Sequence, residues 1–161
     1  MYKPVILLLL LSSCTRAFSQ NELPDVSIKT TAGQQKSFSK IVTNHSDTVV
    51  VVSLWATWCI PCLQELEIIN DQYSERQKEK PFKLIAISID DARTANRVRS
   101  FAAGKGWVFD IYLDTNSDLK RALNVNDVPH LLIIKNGKIV HQQNGYVPGN
   151  EEELFEKIKS L

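Results

Sequence analysis

A chain of 161 residues is long enough for one domain with a real core and short for two. Its apolar share of 43% and charged share of 23% are ordinary for a folded domain, and a formal charge of +1 excludes the basic footprint of a nucleic-acid binder. Three cysteines, Cys14, Cys59 and Cys62, are too few for a disulfide-stapled scaffold, and no repeat or low-complexity tract points to a solenoid or a linker.

The chain opens on Lys3, an unbroken apolar run at residues 5–11, and then Ser12 and Ser13. The run is far short of the ~20 residues a spanning helix needs, and charge, apolar stretch and small residues follow in the order of a secretory signal. The expected division is a signal peptide at residues 1–19 and one domain at residues 20–161. Two processing sites compete. Leu11-Ser12-Ser13-Cys14 resembles a bacterial lipobox, in which Cys14 becomes a lipidated N-terminus. Ala17-Phe18-Ser19 is a small-x-small site that releases a soluble chain beginning at Gln20, and this reading is preferred. Cleavage after Ser19 removes Lys3 and Arg16 from the 19 basic residues, leaving 17 against 18 acidic ones and a charge of −1. Contact with a membrane is expected only if Cys14 carries acyl chains.

Residues 21–36 contain Pro24 and Gly33 among many polar side chains, and read as an irregular entry with a short strand at residues 26–29. Residues 48–54 are β-branched and almost wholly apolar, the pattern of a strand buried on both faces. Beyond the run Trp58-Cys59-Ile60-Pro61-Cys62, Leu63, Leu66, Ile69 and Tyr73 recur at helical spacing, with Glu65, Asn70, Asp71 and Gln72 between them. A second buried strand is expected at residues 82–89. Asp90 and Asp91 offer a cap for a helix over residues 92–103, ended by Gly104 and Gly106. A short strand at 109–113 and a short helix at 118–123 follow. Residues 131–134 and 139–142 flank Asn136-Gly137, which supplies the positive φ angles of a tight hairpin. Asn150, with Glu153 three positions on, reads as a capping box opening a last helix with Leu154, Ile158 and Leu161 on one face. Alternating strands and helices imply parallel crossovers with helices on both faces of the sheet, and the closing hairpin makes the sheet mixed.

The two cysteines of the run sit where a central strand meets an amphipathic helix. A free thiol has a pKa near ~8.5, and a helix N-terminus lowers it by offering unpaired N–H groups and the positive end of the dipole. One turn brings Cys62 back beside Cys59. The expected roles are attack on a substrate disulfide by Cys59, at the exposed end, and release of product by the more buried Cys62. Pro61 fits the first helical turn, where its missing N–H is no loss. Zinc is a poorer reading, because His130 could supply a third ligand and His45 or His141 a fourth without any metal-type spacing. A static bridge is poorer still, since so short a loop constrains the unfolded chain little. These residues require no cofactor and no metal.

Val51-Val52-Ser53-Leu54-Trp55-Ala56-Thr57-Trp58-Cys59-Ile60-Pro61-Cys62, with Val128-Pro129-His130 and Asn136-Gly137-Lys138 downstream, resembles the TlpA/ResA-like thioredoxins over nearly the whole mature chain. The resemblance implies an α/β thioredoxin fold: a central mixed β-sheet flanked by helices on both faces, with a TlpA/ResA-type insertion at residues 90–114. It implies a cis Pro129 packed against the cysteines, Val128 offering its backbone to an extended substrate, and support from Trp58 and Pro61. It suggests Asp91 as an acid that assists proton transfer, beside its simpler reading as a helix cap, and His130 as a neighbour of the pocket with a tuning or packing role. The implied activity is thiol–disulfide oxidoreduction, reducing exported disulfide-containing proteins, apocytochrome c among them, with a membrane electron donor and no nucleic-acid partner, in the cell envelope or periplasm. An oxidase or isomerase using the same residues, and a copper or zinc carrier built on the thiolates and His130, are the alternatives. Thioredoxin's buried aspartate on the central strand is Ser53 here, which leaves the proton acceptor for Cys62 open between a water chain, Asp91 and substrate groups.

Overall fold

The computed structural model describes residues 23–45 and 47–161; the expected signal peptide at residues 1–19, with Cys14 and the Ser19 site, lies outside the described residues. The chain enters through β1 (Ser27–Thr30), β2 (Gln35–Ser37) and α1 (Phe38–Thr43). It continues through β3 (Val49–Trp55), α2 (Ile60–Glu79) and β4 (Phe82–Ser88). The crossover runs through α3 (Ala95–Gly104), β5 (Asp110–Leu113) and α4 (Asp118–Ala122) to the hairpin β6 (His130–Lys135) and β7 (Lys138–Asn144), and α5 (Asn150–Lys159) closes the chain. The strands form one sheet in the order β2-β1-β5-β4-β3-β6-β7. β3, β4 and β5 are mutually parallel and the other pairings antiparallel, so the sheet is mixed as expected.

β3 is buried along its whole length because both faces are covered. Val49, Val51 and Trp55 join a cluster with Leu66 and Ile69 of α2, Val98 of α3 and Leu154, Phe155 and Ile158 of α5. Val50, Val52 and Leu54 face the other way, onto Phe38, Ile41 and Val42 of α1 and Leu119 of α4. The period of two along the strand thus divides one run of apolar residues between two half-cores. Phe155 closes the first, its ring 6.1 Å from Phe82 and beneath the Arg76 guanidinium at 4.6 Å. Phe155→Ala is expected to cost about 3–5 kcal/mol, read as a lower denaturation midpoint with an unchanged slope in urea.

Four features differ from the sequence reading. The segment taken as irregular contains β2, paired to β1, and runs directly into α1. Ser37 caps α1 by accepting from the Lys40 N–H, but the helix is too short for its buried Phe38, Ile41 and Val42 to show a repeating period. α3 begins at Ala95 rather than 92, because Asp91 first closes a turn, accepting the N–H groups of Arg93 and Thr94. Asn150 does not cap α5: Gly149 occupies that position at φ 106°, and the Asn150 Oδ1 turns back to accept the Val147 N–H at 2.8 Å. The positive φ explains the preference for Gly149 over Asn150 at the junction. Finally, Glu65 does not lie on the polar face of α2 but is buried with Cys62, Leu66 and Ile69. The Asn136-Gly137 turn is as expected, at φ 52° and 73°.

Candidate active site

Cys59 is the residue before α2 and Cys62 lies in its first turn, with Ile60 and Pro61 between them. The two sulfurs are bonded at 2.05 Å. The Cys62 N–H donates to Cys59 Sγ at 3.3 Å, so one of the helix's unpaired N–H groups is aimed at that sulfur. Cys62 is fully buried; Cys59 is 5% exposed, less open than the sequence reading expects. The approach is instead marked by Trp58 and Ile60, 63% and 69% exposed on either side of Cys59.

The Val128–Pro129 peptide bond is cis. It sets the Val128 carbonyl oxygen 3.7 Å from Cys59 Sγ. Pro129 leads straight into β6, where His130 pairs with Leu54 of β3 and Asn144 of β7. The His130 ring is nearly buried, with Nδ1 3.4 Å from Asn144 Oδ1 and Nε2 3.3 Å from Gln142 Oε1. These contacts engage both ring nitrogens within the β6–β7 hairpin. Asp91 is part-exposed and ion-paired with Arg93, whose hydrogen bonds and charge hold its carboxyl below the usual range. Among the described residues, no group of three or more His, Cys, Asp and Glu is placed to hold a metal ion.

Two acids that the sequence reading assigned no chemistry sit at the heart of this end of the sheet. Glu65 is 2% exposed and one helical turn beyond Cys62. It accepts a long hydrogen bond, 3.4 Å, from Ser53 Oγ on β3. Burial raises its pKa to about 7; the Ser53 bond opposes that shift, and the charge of Glu151 adds to it. Glu151 is held in place by the Tyr146 hydroxyl at 3.1 Å and the Gly149 N–H at 3.0 Å. The signal was present in the sequence: positions 62, 65, 66 and 69 follow the i, i+3, i+4, i+7 pattern of a buried stripe, and Glu65 falls on it. Asp90 is also fully buried. Burial would raise its pKa, but hydrogen bonds from Ser88, Thr57 and Thr94 outweigh that and hold it below the ordinary value.

A Cys-x-x-Cys disulfide at a strand-to-helix junction, faced by a cis-prolyl loop on a mixed sheet, is the architecture of a thioredoxin-fold protein. The chain belongs to the Redoxin family, whose profile matches residues 18–158. It is similar to the thiol-disulfide oxidoreductase ResA of Bacillus thuringiensis subsp. konkukian (strain 97-27), at 29% identity over 113 residues, 70% of this chain and 62% of the relative. The chain thus spans 62% of the length of that curated relative. The solution structure of a thioredoxin-like protein from Porphyromonas gingivalis superposes with a TM-score of 0.74 at 40% identity, covering 86% of this chain and 90% of the other. StoA of Bacillus subtilis shares the fold, with a TM-score of 0.61 at 20% identity over 83% of this chain and 99% of its own. Among the described residues no helix is long and apolar enough to cross a membrane.

Proposed function

We propose that the protein is a thiol–disulfide oxidoreductase that reduces disulfides in exported proteins by dithiol exchange through Cys59 and Cys62. The observation that carries this reading is the pair itself: a disulfide at the N-terminus of α2, with the Cys62 N–H on Cys59 Sγ and the Val128 carbonyl beside it. In the reduced protein the Cys59 thiolate attacks one sulfur of a substrate disulfide, forming a mixed disulfide and releasing a substrate thiolate. The Cys62 thiolate then attacks Cys59 Sγ, closing the Cys59–Cys62 bond and releasing the second substrate thiolate. Two electrons pass from protein to substrate, and a membrane electron donor restores the dithiol.

The neighbouring groups fit these steps. An extended substrate segment aligns along Val128 and Pro129, and Trp58 and Ile60 give it an apolar landing surface. Pro61 occupies the first turn of α2, where no N–H is needed. Cys62 must lose its proton before it can attack, and Glu65 is the acceptor the geometry supports best: buried, one turn away, with a pKa of about 7. Asp91 serves the turn into α3 and His130 braces the loop behind Pro129. The leader reading places the working domain in the cell envelope, free after cleavage at Ser19 or held by lipid at Cys14.

The Cys59–Cys62 reduction potential, measured in the full chain by equilibration with thiol–disulfide buffers, tests the direction of flow. A value near about −270 mV and reduction of insulin disulfides are expected of a reductase. A value at or above about −180 mV would assign the same residues to an oxidase or isomerase.

A further inference from the structure

The C-terminal end of β4 leads into a hydrogen-bond network around the turn that carries Cys59. Asp90 Oδ2 accepts the Thr57 N–H at 2.8 Å and the Ser88 hydroxyl at 2.7 Å, while Oδ1 accepts the Thr57 hydroxyl at 2.6 Å. The Asp90 N–H in turn donates to Ser88 Oγ at 3.0 Å. Thr57 lies two residues before Cys59, in the turn closed by the Cys59 N–H on the Ala56 carbonyl at 3.1 Å. On the other side, the Ser88 carbonyl accepts the Asp114 N–H at 2.7 Å. The buried Asp114 carboxylate then accepts the N–H groups of Leu119 and Lys120, at 3.2 and 2.9 Å, at the start of α4. From α4 the chain runs directly to Val128 and Pro129.

We propose that Asp90 is a positioning residue for the redox reaction: its buried carboxylate grips both polar groups of Thr57 and thereby holds Cys59 Sγ against the N-terminus of α2. A carboxylate buried without an opposite charge is costly, and here charge-assisted hydrogen bonds from Ser88, Thr94 and Thr57 offset that cost, two of them spent on Thr57 in the nucleophile's turn. An ordinary surface turn needs no such anchor. The turn that carries Cys59 does, because the sulfur gains the helix's N–H groups and dipole only while it stays against the first turn of α2. On the other side of Ser88, Asp114 anchors the start of α4 in the same manner.

This inference rests on the reading of Cys59 as the nucleophile, and the test keeps the two apart. In the full, reduced chain, the rate of iodoacetamide reaction at the Cys59 peptide is followed against pH by mass spectrometry. The variants are Asp90→Asn, Thr57→Val and Thr57→Ser. Thr57→Val removes the hydroxyl bond without altering any charge, so it separates anchoring from the electrostatic effect of the carboxylate, and it decides the matter alone should Asp90→Asn fail to fold. Wild type is expected to titrate well below the ~8.5 of a free thiol. Thr57→Val and Asp90→Asn are expected to move the midpoint up by at least about half a unit, toward the free-thiol value, and Thr57→Ser to restore the wild-type curve. A wild-type midpoint near ~8.5 overturns the reading of Cys59 and the role of Asp90 with it. A low wild-type midpoint left unmoved by folded Thr57→Val overturns the role of Asp90 alone.

Discussion

Cys62→Ser is expected to convert the protein into a trap. Cys59 can still attack a substrate disulfide, but with no second thiol to break the mixed disulfide the substrate stays attached. In the native host this should yield non-reducing gel species of raised mass that collapse with dithiothreitol, and mass spectrometry of the captured chains identifies the substrates. Cys59→Ser should form no such species and should lower insulin reduction by at least about 10³-fold, because the chemical step has no alternative nucleophile. Cys62 cannot substitute, since it is fully buried behind Cys59. Abundant adducts in Cys59→Ser would reverse the assignment of the two sulfurs.

Glu65→Gln is expected to change both stability and rate, in opposite directions. The folded protein holds the Glu65 proton up to about pH 7, whereas the unfolded chain releases it near 4.5. Between these values the folded state binds more protons, so wild-type stability falls as pH rises from 4.5 to 7 and stays reduced above it. A shift of that size corresponds to a loss on the order of 3 kcal/mol across the window. Glutamine is never charged, so the variant should lack this slope and be the more stable protein at pH 8 in urea denaturation. The rate should suffer. With no carboxylate one turn from Cys62, resolution of the mixed disulfide is expected to slow by about 10²-fold at pH 7 and to recover toward wild type as rising pH ionises the thiol directly. An unchanged resolution rate with the predicted gain in stability would mean that Glu65 is buried for reasons other than proton transfer.

The elements legible in the sequence were those whose own pattern is strong. Residues 48–54 read as a strand buried on both faces, which the structure places at Val49–Trp55, and Asn136-Gly137 read as a tight turn, because each depends on local sterics and burial. The short pieces were not legible. α1 has one turn of buried residues and owes its existence to the half-core it covers, made by Leu54, Leu132 and Ile134 on distant strands. Nor could the start of α5 be read correctly, since an asparagine followed by a glutamate three positions later caps a helix only if its own backbone stays outside it, and Asn150 is instead the first helical residue, with left-handed Gly149 at the cap.

The sequence by itself determined the Cys-x-x-Cys pair and its place at a strand-to-helix junction, because these rest on residue types in fixed order, while the cis proline 70 positions from Cys59 was implied by the family resemblance and is seen in the backbone. The surroundings of the pair were decided by the tertiary structure. Ser53 looked like a loss of the proton acceptor, yet the packing of α2 on β3 brings Glu65 to the same place from the helix. Of the adjacent acids Asp90 and Asp91, the second was the stronger candidate on sequence, while the fold buries the first against Thr57 and leaves the second paired with Arg93 at the surface. Adjacent residues at a strand end face different surroundings, and only the neighbours packed around each one set whether a carboxyl keeps its proton, loses it or anchors a turn.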